Sequence, residues 1–379
     1  MMRTRTPSDI RLVQKFWRVN WALVLLVTLV ASIGFAILYS AANGNISPWA
    51  SKQMVMFFVG LVVMLTIAVI DIRIWMRYAY VFYVFTLSLL VYVEFFGTEI
   101  NNAQRWIKLG QFQVQPSEFM KITLVMVLAR YFHRLNIQDI ARPRYLIVPS
   151  LLIAVPVLLV QRQPDLGTAL FLVICGGAMF FLAGVRIWKF IVALTATIVA
   201  LPIAWPFMLD YQKDRILTFL SIDVDPLKEG YHIMQSKIAL GSGGMFGRGF
   251  MQGTQSHLEF LPERQTDFIF TMLAEEFGLV GGLGLLGLYS LLLLYGLSIA
   301  LRCQNHFGRL LAMGFSVMFF LYAFINIAMV MALIPVVGLP LPLISFGGTA
   351  MITVLAGFGF LICVSVHRDV RVGRHGEGR

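Results

Sequence analysis

The chain has 379 residues, 59% of them apolar and only 13% charged, about half the charged share of an average soluble domain. No soluble core hides so many Phe, Leu, Val, Ile and Met side chains behind so few charges, and a mean hydropathy of +0.80 makes lipid the main solvent. Disorder, a disulfide scaffold and a soluble nucleic-acid binder are excluded: three cysteines frame nothing, and a net charge of +11 fits cytoplasmic Lys and Arg better than nucleic acid.

A membrane helix needs about 20 apolar residues. Charge-poor runs predict about ten spans, near 19–41, 53–70, 76–96, 117–134, 145–161, 166–184, 187–209, 267–299, 310–334 and 345–366. The expected fold is all-α, one polytopic membrane domain over 1–379. The first span is too long for the apolar core of a signal peptide, so it is expected to be retained. The fourth is the weakest, because Glu118 and Lys121 stand near its start. Residues 310–367 carry no formal charge, yet Pro335, Pro340 and Pro342 cannot continue a helix. That stretch is read as two spans and a tight outer turn.

Orientation follows from the basic residues. The N-terminal tail, the even loops and the C-terminal tail hold 19 Lys and Arg, against four in the first three odd loops and none in the last. The positive-inside rule then puts both termini, 1–18 and 367–379, in the cytoplasm. The long loop 210–266, between spans seven and eight, falls on the outer side.

Polar residues that interrupt apolar spans carry the functional signal. Residues 103–110 contain Arg105, Trp106 and Lys108. Trp106 alone would be an interfacial anchor, and the two cations could meet lipid phosphates or a diphosphate leaving group. Pro116-Ser117 reads as a helix start, after which Glu118 and Lys121 share one face at i and i+3. They form either a local ion pair or part of a substrate site. Asp165, followed by Gly167 and Thr168, reads as a cap or turn residue with a substrate role as the alternative.

The long loop contains Lys237, a glycine-rich run over 241–249, and a segment ending in Glu263, Arg264, Gln265, Thr266 and Asp267. The glycines lack the third position of a dinucleotide fingerprint and follow no strand. A flexible connector would account for them, but not for the charges beside them. Thr266 or Asp267 could cap the eighth span. Glu275 and Glu276, deeper in it, should face a polar interior. No cluster has structural-zinc spacing.

Taken together, several ordered motifs carry a resemblance. Arg105-Trp106-x-x-Leu109-Gly110, Gln115-Pro116-Ser117-Glu118-x-x-Lys121, Gln163-Pro164-Asp165-Leu166-Gly167-Thr168, Leu261-Pro262-Glu263-x-x-Thr266-Asp267-Phe268-Ile269 and Pro342-x-x-Ser345-x-Gly347-Gly348 resemble the SEDS family (shape, elongation, division and sporulation) from the first span to the last. The stretch 253–264, with Arg264, is similar to the elongation members rather than the division members.

The resemblance implies an inner-membrane peptidoglycan glycosyltransferase that polymerises lipid II into β-1,4-linked strands on the periplasmic face. Its implied partner is a class B penicillin-binding protein that cross-links them. The residue types suit that chemistry. An α-linked lipid diphosphate donor yields a β-linked product by one in-line displacement, which needs a general base and cations on the leaving group. Asp267 is the candidate base. Arg105, Lys121 and Lys237 are candidates for the diphosphates, Glu118 for orienting Lys121, and Trp106, Thr266 and Ser345 for further substrate contacts. A divalent cation, Mg2+ or Mn2+, could share the diphosphate, though no ligand cluster demands one.

The chain departs from the family in one respect. Many relatives carry His two residues before the motif Asp, where Gln265 stands, so the base role falls on Asp267 alone. The rival readings are a flippase for the same lipid, a division-type polymerase, and a scaffold without chemistry. Ionisable residues crowding the outer half favour an enzyme over a flippase.

Overall fold

The computed structural model describes residues 12–100, 103–110, 112–208, 213, 217, 229–253, 263–370 and 373. After a short α1 (Leu12–Trp17), the Asn20 side chain accepts a hydrogen bond from the Leu23 amide and opens α2 (Trp21–Ala41). α3 (Trp49–Val69) follows, and Asp71 caps α4 (Ile72–Phe96) by accepting from the Arg73 amide.

Three short strands come next, β1 (Thr98–Ile100), β2 (Ala103–Leu109) and β3 (Phe112–Val114), paired antiparallel in that order. They are the one β element among the described residues, and the all-α expectation did not contain it. Gly110, at φ +64°, lies in the connection between β2 and β3, a backbone region that glycine enters without penalty.

Pro116 stands at the first turn of α5 (Pro116–Arg134), where its missing N–H costs nothing. After α6 (Ile137–Ile140) come α7 (Arg144–Arg162), with two internal prolines, and α8 (Leu166–Ala183), which Gly184 ends in the left-handed region. The Asp165 carboxylate accepts from the Thr168 amide and caps α8, as the cap reading expects. α9 (Ile187–Ala204), α10 (Glu229–Ser242), α11 (Ile269–Arg302), α12 (His306–Val330) and α13 (Gly348–Val366) complete the chain.

Each expected span coincides with a helix. Eight of these helices are long and apolar enough to cross a membrane. α5 falls outside that set because it carries Glu118, Lys121, Arg130 and Arg134, and α9 counts as a shorter apolar helix over Ile187–Ala200. The protein is an integral membrane protein. α5 packs against α4, α7, α8, α12 and α13, so Glu118 and Lys121 are enclosed by other helices rather than by lipid.

Two connections are decided by the structure. First, the glycine-rich run is not a flexible connector, the reading its neighbouring charges already spoke against. α11 is too long for one straight crossing, at about 1.5 Å per residue over 34 residues, and it breaks at Gly278 (φ +66°). Residues 244–249 lie across the break: the Arg248 and Gly249 amides donate to the Glu275 and Glu276 carbonyls, and the Leu279 and Val280 amides donate back to Gly244 and Met245. A Cβ at Gly247 would lie 2.1 Å from the Glu276 carbonyl oxygen, so the approach needs glycine. Glu275 and Glu276 are buried at this break, and Ser40 donates to the Glu276 carboxylate. They face the protein interior, as expected.

Second, the chain between α12 and α13 is not a tight turn. Residues 331–347 fold back into the bundle, with Ile344 against Gly34 and the Val337 carbonyl against Gly167. Of the expected long loop 210–266, the residues outside 213, 217, 229–253 and 263–266 lie outside the described residues.

Candidate active site

The sequence motifs meet at one end of the bundle in three neighbouring groups. The first is organised by Asp165. Its carboxylate accepts from the Thr168 hydroxyl (2.9 Å) and the Gln115 amide nitrogen (3.2 Å), and Arg105 Nη1 stands 3.7 Å away. Arg105 also donates to the carbonyls of Gln163 (3.0 Å) and Pro164 (2.5 Å), so the strand β2 clamps the turn that precedes α8. Thr349, at the start of α13, donates to the Gln113 carbonyl and accepts from the Gln115 amide. Asp165 is thus both a cap and the hub of a polar cluster.

The second group surrounds Asp267, which is half-buried just before α11. The N-cap position of α11 is Phe268, so neither Thr266 nor Asp267 stands there. The turn is built by Glu263 instead: its carboxylate accepts from the Thr266 hydroxyl (3.0 Å) and the Gln265 amide nitrogen (3.3 Å). Arg264 is buried, with its guanidinium 5.9 Å from the Trp49 ring centre.

The returning segment 331–347 holds this turn from the other side. Ser345 Oγ donates to the Thr266 carbonyl and accepts from the Leu341 amide, and the Phe346 amide donates to the Gln265 carbonyl. Gln53 of α3 secures the segment in turn, donating to the Ser345 carbonyl and accepting from the Gly347 amide. Asn326 of α12 donates to the carbonyls of Asp267 (2.9 Å) and Leu339 (2.7 Å).

Val337 and Gly338 join the two groups. The Val337 carbonyl rests on Gly167, two residues beyond Asp165, and a Cβ at Gly338 would stand 3.4 Å from Asp267 Oδ2.

The third group lies behind these. Lys121 Nζ donates to Glu118 Oε1 (2.6 Å) and to the Tyr322 hydroxyl (2.7 Å), and that hydroxyl donates to the second Glu118 oxygen. The ammonium also lies 4.8 Å from the Phe171 ring centre. Lys121 has no exposed surface at all. A direct bond from Lys121 to a diphosphate is therefore not available in this geometry: both readings of Glu118 and Lys121 placed them on one face, and that face points into the bundle.

Other expected residues stand apart. Trp106 is half-buried on β2, and Lys237 is exposed on α10 beside Ser236, whose hydroxyl bonds Thr271 and the Val330 carbonyl. Among the described residues neither forms a hydrogen bond or ion pair with the three groups. Tyr322, Asn326 and Gln53 were missed. The available signal was polar side chains inside apolar spans, with Tyr322 and Asn326 at i and i+4 on one face of α12.

Comparison with known proteins places the chain in a family. The FtsW/RodA/SpoVE model, described as a cell cycle protein, matches residues 14–370, and the chain belongs to that family. It is 45% identical over 351 residues to the peptidoglycan glycosyltransferase MrdB of Escherichia coli K12, covering 92% of this chain and 94% of that protein. It is 33% identical to the peptidoglycan glycosyltransferase RodA of Treponema pallidum, covering 97% of this chain and 100% of that protein.

Two solved structures share its fold. One is a chain of a peptidoglycan synthase complex that coordinates polymerization and crosslinking (TM-score 0.79, 33% identity, 92% of this chain and 98% of that one). The other is the rod shape determining protein RodA of Thermus thermophilus (TM-score 0.69, 32% identity, 92% and 97%).

Proposed function

We propose that this chain, a peptidoglycan glycosyltransferase like its relatives, polymerises lipid II with Asp267 as the general base. The observation that carries the reading is the seat of Asp267. Its carboxylate is half-buried against a glycine, at the junction of two motif clusters and just outside the N-cap of α11. A carboxylate so placed can accept the proton of the acceptor 4-hydroxyl as the hydroxyl attacks C1 of the donor sugar. The C1–O bond to the diphosphate breaks, the configuration inverts, and the lipid diphosphate leaves.

The leaving group calls for cations with a free face. Arg105, with a third of its side chain exposed, and exposed Lys237 suit that duty. Lys121 and Glu118 hold α5 from behind. Thr266 and Ser345 shape the turn that carries the base, and Trp106 flanks Arg105 on β2. Among the described residues no three His, Cys, Asp or Glu side chains stand where they could hold a metal.

The basic-residue count supports a site on the periplasmic side of the inner membrane. The likeness to a chain of a synthase complex supports a cross-linking class B penicillin-binding protein as partner. The test is Asp267→Asn, which preserves shape. A general base contributes about 10²–10⁴-fold, so purified variant given labelled lipid II should lose that much glycan synthesis while remaining folded. Polymerisation within a few-fold of the parent would sink the base assignment.

A further inference from the structure

We propose that Asn326 is a positioning residue for Asp267, an inference that rests on Asp267 being the base. The Asn326 side chain is fully buried in α12, and its Nδ2 donates to two carbonyls, Asp267 at 2.9 Å and Leu339 at 2.7 Å. These carbonyls belong to the two chain segments that meet at the carboxylate. Asp267 bears it, and Leu339 follows Gly338, against which Oδ2 rests. One amide group therefore sets the spacing between the base and the surface it leans on.

Two carbonyl acceptors also settle which end of the amide is nitrogen. Its Oδ1 is then left without a hydrogen-bond partner among the described residues. A buried polar atom without a partner calls for an explanation. Packing alone gives no reason for an amide at this position. The asymmetry makes sense if the donors are what the site requires and the acceptor is the cost.

The neighbouring geometry shows why the spacing matters. Segment 331–347 has no regular structure of its own and is held by scattered contacts: from Gln53, Tyr289 and Asn326, and through its own Ser345 and Phe346 to the turn before α11. Of these, Asn326 alone bonds Asp267 itself. Without it, the tie that joins the backbone of Asp267 directly to residue 339 is lost, and a misplacement of about 1 Å at a reacting group can cost about 10²-fold in rate.

The experiment uses the full chain, purified in detergent, with labelled lipid II over a range of concentrations. Asn326→Leu removes both donors while keeping the same branched shape, and Asn326→Asp presents oxygen to both carbonyls. Each should lower kcat per folded molecule by about 10–100-fold, with KM for lipid II within about threefold of the parent. A residue that only supports packing would lower the folded yield and leave kcat per folded molecule unchanged, and that result overturns the proposal. Asp267→Asn run in parallel separates the two readings. If it retains activity, the base assignment falls and the positioning role with it. If it is inactive while Asn326→Leu turns over normally, the positioning role alone falls.

Discussion

α5 and α9 invert the rule that governs soluble helices. α5 carries two acidic or basic residues in its first two turns and two arginines near its end, yet 15 of its 19 residues are buried. α9 has one charged residue, Lys189, and every residue from 191 to 200 is exposed. In water, burial follows hydrophobicity. In a bilayer, lipid tails are as apolar as leucine, so an apolar helix gains little by turning inward, whereas a charged one cannot face hydrocarbon. The polar helix therefore becomes the centre of the bundle, and it brings the first turn of the site, Gln115 to Lys121, with it.

This contrast can be broken at its strongest point. Lys121→Met leaves Glu118 buried with only Tyr322 to answer it, and removing one partner of a buried pair costs about 3–5 kcal/mol. Thermal unfolding in micelles should show the loss. Adding Glu118→Leu should restore most of it, since an apolar pair of similar volume replaces a buried ion pair at little cost. Failure of the double variant to recover would mean that the pair specifies the packing of α5.

The converse change is Leu194→Arg, which puts a charge on the lipid face of α9, where Leu194 is 63% exposed. Its cost at a helix centre is about 2.5–3.5 kcal/mol on insertion scales, read as reduced integration into vesicles. Tyr322→Phe keeps the ring but deletes the hydroxyl shared by Glu118 and Lys121. An interhelical hydrogen bond in a membrane protein is worth about 0.6 kcal/mol on average and about 1.7 at most, so the unfolding midpoint should fall only modestly. The smallest effect belongs to Ile198→Ala on α9. Its side chain meets lipid in the folded and the inserted unfolded states alike, so the change should stay within about 0.5 kcal/mol.

The site divides along the same lines. The start of α5 at Pro116 and the Asp165 cap of α8 are legible because a cap depends on residues within four positions of one another. The same local logic offers Thr266 or Asp267 as the cap of α11, but the N-cap position falls on Phe268, because Glu263 and the distant Ser345 organise that turn. The glycines at 243–249 looked like slack in a loop. Their real constraint, the broken α11, lies about thirty residues further on.

The sequence by itself determined the membrane class, the positions of the helices, the family and the identity of Asp267 as the residue to test. Those rest on hydropathy summed over some twenty residues and on motifs that are local in the chain. Only the tertiary structure decided that Lys121 is enclosed, that Tyr322 completes its pair across 201 positions, and that Asn326 ties Asp267 to a segment returning from the far side of α12. Nothing in a linear pattern fixes such contacts, because each is made by a helix face, and which face turns inward is settled only when all the helices have packed.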